Sequence, residues 1–271
     1  MKRFLAAFVI VTVACQAEAW KSLGHQLVAQ IALDNLNPQA KQLCVHYNQA
    51  MNQTAKTRGL VQASTWLDTI RYKKDVHWYD ALHYIDIPFS KDGTLLPPTP
   101  EPNALWAIHQ AMAVLTSDKA SAEDKGLSLR ILMHTVGDIH QPLHTAALVS
   151  HQLPQGDMGG NLFRLGRNSI ANNLHSYWDK GAGALAGHST AFQIRNKAHQ
   201  LETRWSCKLA NHKTKPEQWI QASHQLARSN SYNIDPGSIP SKKYQLNAQN
   251  ISQKQIFFAG CRLALLLNTL A

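Results

Sequence analysis

A mostly α-helical domain is what this chain predicts, on three observations. Apolar residues recur at helical spacing, strand-like alternation is scarce, and clusters of Gly, Pro and Asn interrupt the pattern at long intervals. Leu105, Ile108, Met112 and Leu115 form one stripe of a helix. Ile256, Ala259, Leu263 and Leu266 form another near the C-terminal end. Between Leu127 and His144 the positions Leu127 and Ile131 continue as His134 and Asp138, and the steps of 4, 3 and 4 put all four on one face. Asn173 to Asp179 repeats the motif, with His175 four residues before Asp179. The breakers mark three loops: Ile87 to Pro102 with Asp92-Gly93 and Pro97-Pro98, Leu153 to Asn161 with three glycines, and Asn233 to Pro240 with Asp235-Pro236-Gly237. No internal repeat or low-complexity tract breaks the chain into further units.

The first nineteen residues read separately. Lys2 and Arg3 precede an apolar run from Phe4 to Ala14, and Ala17-Glu18-Ala19 offers the small-x-small pattern that signal peptidase cuts after. The run is shorter than the ~20 residues that span a bilayer, so a signal peptide over residues 1–19 is expected rather than a stable membrane anchor. A lipid-modified Cys15 is the rival reading, but Thr12 stands where such a site wants Leu or Val. Residues 20–271 then remain as one domain, a length one core can hold. The full chain carries a net charge of +10. That excess suits a polyanionic partner such as nucleic acid, or an acidic membrane surface. Cys44, Cys207 and Cys261 stay after cleavage; an oxidising compartment allows one disulfide among them, and spacing does not choose the pair. None lies in a CxxC arrangement, which argues against a cysteine-based metal site.

The histidines carry the chemistry. A face that points into the core should not hold an unpaired carboxylate, because burying one is very costly. The two pairs, His134 with Asp138 and His175 with Asp179, therefore require a bound cation or a tight hydrogen bond. Nitrogen and oxygen donors of this kind suit Zn²⁺. His144 follows just after Pro142, where the helix should end, and can fold back toward the same centre. Cleavage before Trp20 would expose an α-amine five residues ahead of His25, able to chelate a metal together with its own carbonyl. The bland alternative is a tryptophan buried near a terminus and a solvent-facing histidine.

Six segments in order then carry a resemblance. They are Trp20…Gly24-His25, Ala63 to Arg71, Leu82 to Asp86, His134 to His144, Gly156 to Asn161, and Asn173 to Asp179. The chain resembles the S1/P1 nuclease family, within the group of zinc enzymes that also holds bacterial phospholipase C. The resemblance implies an all-α, multi-helix single domain with three zinc ions in a cleft. Asp68, His83, His134 and Asp138 would hold one. Asp138 would bridge to a second, bound by His25 and by the amine and carbonyl of Trp20. His144, His175 and Asp179 would hold the third.

The implied activity is endonucleolytic cleavage of single-stranded DNA or RNA to 5′-phosphates by a secreted or periplasmic monomer, with 3′-nucleotides also dephosphorylated. Arg71 would be catalytic, near the scissile phosphate, unless it is a surface arginine at a helix end. Tyr84 would stack on a base, unless it is an ordinary core aromatic. His140 is expected to support the ligands or lie in a loop. Two positions depart from the family: no acidic residue follows closely after Asp86, and Lys180 stands where asparagine is usual. The competing readings are a phospholipase C with the same zinc core and a non-enzymatic zinc-binding protein. The first tends to have glutamate at the position of Asp179. The second would keep its ligands on a flexible tract, whereas these are spread over a folded chain.

Overall fold

A computed structural model describes residues 20–70 and 77–271; the expected signal segment and Arg71 lie outside the described residues. The all-α expectation is met. Eleven α-helices run in the order α1 (Ser22–Asp34), α2 (Pro38–Met51), α3 (Leu60–Ala63), α4 (Trp66–Ile70), α5 (Ala104–Thr116), α6 (Ala122–Asp138), α7 (Leu174–Asp179), α8 (Ala191–Arg204), α9 (Cys207–Ala210), α10 (Pro216–Leu226) and α11 (Lys242–Leu267).

The helix starts follow from side chains that satisfy the free N–H groups of a first turn. Asn37 caps α2, whose first residue Pro38 has no N–H to leave unpaired. Asn103 caps α5, Ser121 caps α6, Asn173 caps α7 and Ser241 caps α11. Thr190 and Gln193 form a reciprocal capping box on α8. No helix among the described residues is long and apolar enough to cross a membrane.

Helix α6 sits at the centre, with α2 and α5 packed along it and α1 and α11 closing the other side. The main core gathers Val28 and Ile31 of α1, Leu129, Leu132 and Val136 of α6, and Ile256 and Leu263 of α11, all fully buried. The deepest stripe of α6 is therefore Leu129, Leu132 and Val136, and the predicted Leu127 and Ile131 are half-buried at its margin. A second core under the loops holds Leu143, Phe163, Trp178 and Tyr232.

One structural addition falls inside the first predicted loop. Pro88–Ser90 (β1) pairs in parallel with Ala147–Val149 (β2). Two further backbone bonds extend the join, Ile85 N–H to His144 O at 2.8 Å and Ala147 N–H to Ile87 O at 3.1 Å. This short ladder straps the segment after His83 to the segment after His144, two stretches that sequence spacing leaves unrelated.

The cysteine question is settled by geometry. Cys207 of α9 and Cys261 of α11 form a disulfide with Cα atoms 5.3 Å apart, and Cys44 is a buried free thiol. Burial pushes the Cys44 thiol up to about 12, so it packs as a small hydrophobe. The disulfide closes a loop of sequence separation 54. Replacing both partners by serine should lower stability by about 3–4 kcal/mol on the loop-entropy scale. Denaturant unfolding of the double variant checks this, and an unchanged midpoint would mean that the helix contacts alone hold α9 in place.

Candidate metal centre

The C-terminal end of α6 carries the first group. His134 and Asp138 lie one turn apart and are both fully buried. His83 reaches them from the short 3-10 turn Asp80–His83, and Asp68 from α4. His83 Nδ1 lies 3.1 Å from Asp138 Oδ2 and 3.0 Å from His134 Nε2. Asp68 Oδ1 lies 3.5 Å from His134 Nε2 and 3.8 Å from His83 Nδ1, and His134 Nε2 lies 3.3 Å from Asp138 Oδ2. Protons can bridge some of these pairs but cannot satisfy all four converging atoms. Tetrahedral ligands at zinc's usual bond lengths stand about 3.3 Å from one another, and the observed separations bracket that value.

A second group forms on the other oxygen of the same carboxylate. His25 of α1 brings Nε2 to 3.2 Å from Asp138 Oδ1, with its ring stacked on His134 at 3.9 Å between centroids. Neither atom makes a hydrogen bond of sound geometry; both are buried without a partner of that kind. Asp138 thus turns one oxygen to each group. The third group is His144, His175 and Asp179, with His144 Nε2 at 3.8 Å from Asp179 Oδ1 and His175 Nε2 at 3.5 Å from Asp179 Oδ2. Donor atoms lie within 4.8 Å of one another, close enough to share a cation, in three sets: Asp68, His83 and His134; His25, His134 and Asp138; and His144, His175 and Asp179.

Histidine tautomers are fixed from behind. His134 Nδ1 faces the carbonyl of Ser64, His144 Nδ1 that of His83, and His175 Nδ1 that of Gly159, each at 2.7 Å. Only a protonated Nδ1 can make these contacts, so Nε2 is the nitrogen each ring turns to its group and the one that would bind a metal. A backbone or carboxylate partner of this kind is the usual support of a metal-binding histidine. Gly159 supplies its carbonyl from a left-handed turn (φ +61°) in which a Cβ would stand 2.5 Å from Leu143 O. That is the physical need behind the paired glycines of the second predicted loop.

Charge states fit cation binding as well. Burial raises the Asp138 carboxyl, but the surrounding His134, His25 and His83 hold it well below the usual range. Burial depresses His134, yet Asp138 and Asp68 outweigh it and lift the imidazole to about 9. The protein without metal therefore keeps a proton where a cation would sit. His144 is pushed down to about 4 by burial, which leaves it neutral. Burial, with the Asp68 and Asp138 charges adding to it, raises Asp179 well above its ordinary value, although Gln141 Nε2 donates to its Oδ1 at 2.7 Å. A carboxyl so destabilised as an anion calls for a positive partner.

Trp20 packs against these groups. Its indole is fully buried and donates to Gly137 O at 2.9 Å, while Lys21 N–H donates to Asp179 O at 3.1 Å. His25 is buried too, so the expectation of a solvent-facing histidine fails. Asp68 is half-buried, whereas Trp20 and the other seven predicted ligands are buried. Tyr84 follows the His83 turn and is half-buried. Lys180 turns its ammonium away to the carbonyl of Ile170.

His140 stands apart from all three groups: Nδ1 faces Val136 O, and Nε2 accepts from Arg262. Gln141 received no role from sequence. It holds Asp179 with its amide nitrogen and caps the turn at Pro142 with its oxygen. Its position just before the proline was the available signal.

Gly137 is a further residue that spacing alone does not flag. A Cβ there would lie 2.8 Å from His25 Nδ1. Gly137→Ala is expected to push the His25 ring away from Asp138 and to weaken metal binding at that group by about 10–100-fold, as for other losses of ligand support. Metal titration of the variant checks this; unchanged affinity would mean that the ring has room to yield.

Comparison with known proteins agrees with the site. The S1/P1 nuclease family profile matches residues 20–271. Endonuclease 5 of Arabidopsis thaliana is 25% identical over 285 residues, which cover 93% of this chain and 90% of that protein. Nuclease P1 of Penicillium citrinum is 28% identical over 171 residues, covering 59% and 57%. Nuclease S1 of Aspergillus oryzae is 24% identical over 211 residues, covering 74% and 67%. With three His/Asp groups able to bind metal and a family match from Trp20 to Ala271, the chain belongs to the S1/P1 nuclease family of zinc-dependent phosphodiester hydrolases.

Proposed function

We propose that this protein is a secreted endonuclease that cleaves single-stranded DNA or RNA to 5′-phosphate products and also dephosphorylates 3′-nucleotides, using three zinc ions. The observation that carries the reading is the Asp138 carboxylate, one oxygen facing His25 and the other facing His83 and His134. Asp68, His83, His134 and Asp138 would hold one ion. Asp138, His25 and the amine and carbonyl of Trp20 would hold a second, and His144, His175 and Asp179 a third. Bound zinc supplies Lewis acidity toward water and toward phosphoryl oxygens.

The chain's own residues set the geometry. Carbonyls of Ser64, His83 and Gly159 orient three imidazoles, and Gln141 orients Asp179. Burial of these groups keeps bulk water from competing for them. Arg71 is assigned to the scissile phosphate and Tyr84 to stacking on an unpaired base, which a duplex would hide. Secretion as a monomer after cleavage before Trp20 accords with the Cys207–Cys261 disulfide, a bond of oxidising compartments.

The test is metal content of the secreted chain, measured beside hydrolysis of single-stranded DNA, 3′-AMP and phosphatidylcholine. About three zinc ions per chain with nucleic-acid cleavage that chelation abolishes is the expected result. Hydrolysis of the lipid alone would transfer the protein to phospholipase chemistry. Zinc without any hydrolysis would make it a binding protein.

A further inference from the structure

Among the described residues two arginines are buried, and they are treated differently. Arg130 of α6 is fully buried, and its guanidinium is surrounded by oxygens: Asn48 Oδ1 at 3.0 Å, Ala55 O at 2.6 Å and Asn52 Oδ1 at 2.7 Å. Arg262 of α11 is 4% exposed and makes two hydrogen bonds, from Nε to Ala210 O at 3.1 Å and from Nη1 to His140 Nε2 at 2.7 Å. A guanidinium presents five N–H donors. Among the described residues no partner receives Nη2, and no carboxylate pairs with the charge. Burial draws the group down to about 10, which still leaves it cationic at neutral pH. His140 Nε2 accepts from Arg262 and brings no negative charge to it. The Trp219 and Phe258 rings lie 5.5 and 5.2 Å from the guanidinium, and cation–π contacts of this kind leave its charge without a counter-anion.

Arg262 borders a pocket. A cavity of about 590 Å³ lies between α10 and α11, and Arg262 lines it, within the ~300–1,000 Å³ typical of small-molecule sites. Lys213 and Lys254 also line it, and no Asp or Glu does. Its walls include Leu226, Ile251 and Phe258, and the Phe258 ring sits 5.4 Å from Lys254 Nζ and 5.2 Å from the Arg262 guanidinium. Side-chain amides of Gln221, Gln225, Asn250 and Gln255 add donors and acceptors around the rim. None of these residues belongs to the three His/Asp groups.

We propose that this pocket is a second binding site, for a small organic anion that carries a planar ring. Its phosphate would complete Arg262 with Lys213 and Lys254, and its ring would lie on the apolar wall at Phe258 with the amides reading its edge. The ligand of this chemistry is a mononucleotide; that identity rests on the nuclease reading above, whereas the demand for a ringed anion does not.

Calorimetric titration of the metal-loaded chain with 5′-AMP tests the proposal, with adenosine and inorganic phosphate run in parallel. Two sites per chain are expected. Lys254→Glu should weaken one of them at least tenfold, and Ala222→Trp, which fills the cavity, should do the same. Both variants should leave the other site unmoved and DNA cleavage within twofold of the parent. If Ala222→Trp does not fold, the Lys254→Glu result decides. A single site, or a second site indifferent to the variants, overturns the proposal. Inorganic phosphate or adenosine binding the variant-sensitive site as tightly as 5′-AMP would overturn the ringed-anion assignment. A chain that binds 5′-AMP in this pocket yet cleaves no nucleic acid would refute the nuclease reading and leave the second site standing.

Discussion

Replacing Asp138 by asparagine should lower kcat/KM on single-stranded DNA by about a thousandfold or more and remove metal from two groups at once. The carboxylate presents Oδ1 to His25 at 3.2 Å and Oδ2 to His83 and His134 at 3.1 and 3.3 Å. An asparagine keeps the shape but loses the charge, and its NH₂ would aim hydrogens at one of the two groups. A thousandfold loss corresponds to about 4 kcal/mol of transition-state stabilisation, comparable to the 3–5 kcal/mol typical of breaking a buried charged pair. Elemental analysis of the variant should find the deficit. Asp179→Asn is the comparator, since among the described histidines Asp179 faces His144 and His175 and belongs to one group; its deficit should be confined to one ion. Full metal content and more than a tenth of the activity in Asp138→Asn would refute the shared-carboxylate reading.

Adding a single residue ahead of Trp20 should cost about a hundredfold in activity and one metal ion while leaving the fold intact. The Trp20 indole is held by burial and by its bond to Gly137 O, and Lys21 is held to Asp179 O. The start of the described chain is therefore fixed against the His/Asp groups. An α-amine can donate its lone pair to a metal, whereas a peptide nitrogen has that pair delocalised into the carbonyl. The extended protein should show unchanged far-ultraviolet dichroism because the indole anchor survives. The loss of support for one ion ranks with the 10–100-fold effects seen when ligand surroundings are removed. Equal metal and equal activity in extended and unextended chains would exclude the terminal amine as a ligand.

Parts of the site were legible because they are local. His134 with Asp138 and His175 with Asp179 are each separated by one helical turn, and that spacing alone puts each pair on one face. The break at Pro142 and the glycines before Asn161 were likewise readable, as punctuation that backbone stereochemistry imposes. His25, Asp68 and His83 were not tied to these pairs by any periodicity; His25 was suggested by its closeness to the Trp20 amine, and only the resemblance to a known family pointed to Asp68 and His83. The Arg262 pocket left no sequence signal at all. An arginine among Cys261, Leu263 and Ala264 on a helix can face either way, and which neighbours meet it depends on how α10 lies against α11.

By itself, then, the sequence determined the helical class, the loops that divide the helices, and the two His/Asp pairs. These depend on interactions within a turn or two of chain, where geometry is nearly fixed. Only the tertiary structure decided that Cys207 meets Cys261 and not Cys44, and that the β1–β2 ladder straps His83 to His144. It also decided that Asp138 turns an oxygen to each of two groups. Those are contacts between residues far apart in sequence, and they follow from the packing of α1, α2, α5 and α11 around α6, which no short-range pattern encodes.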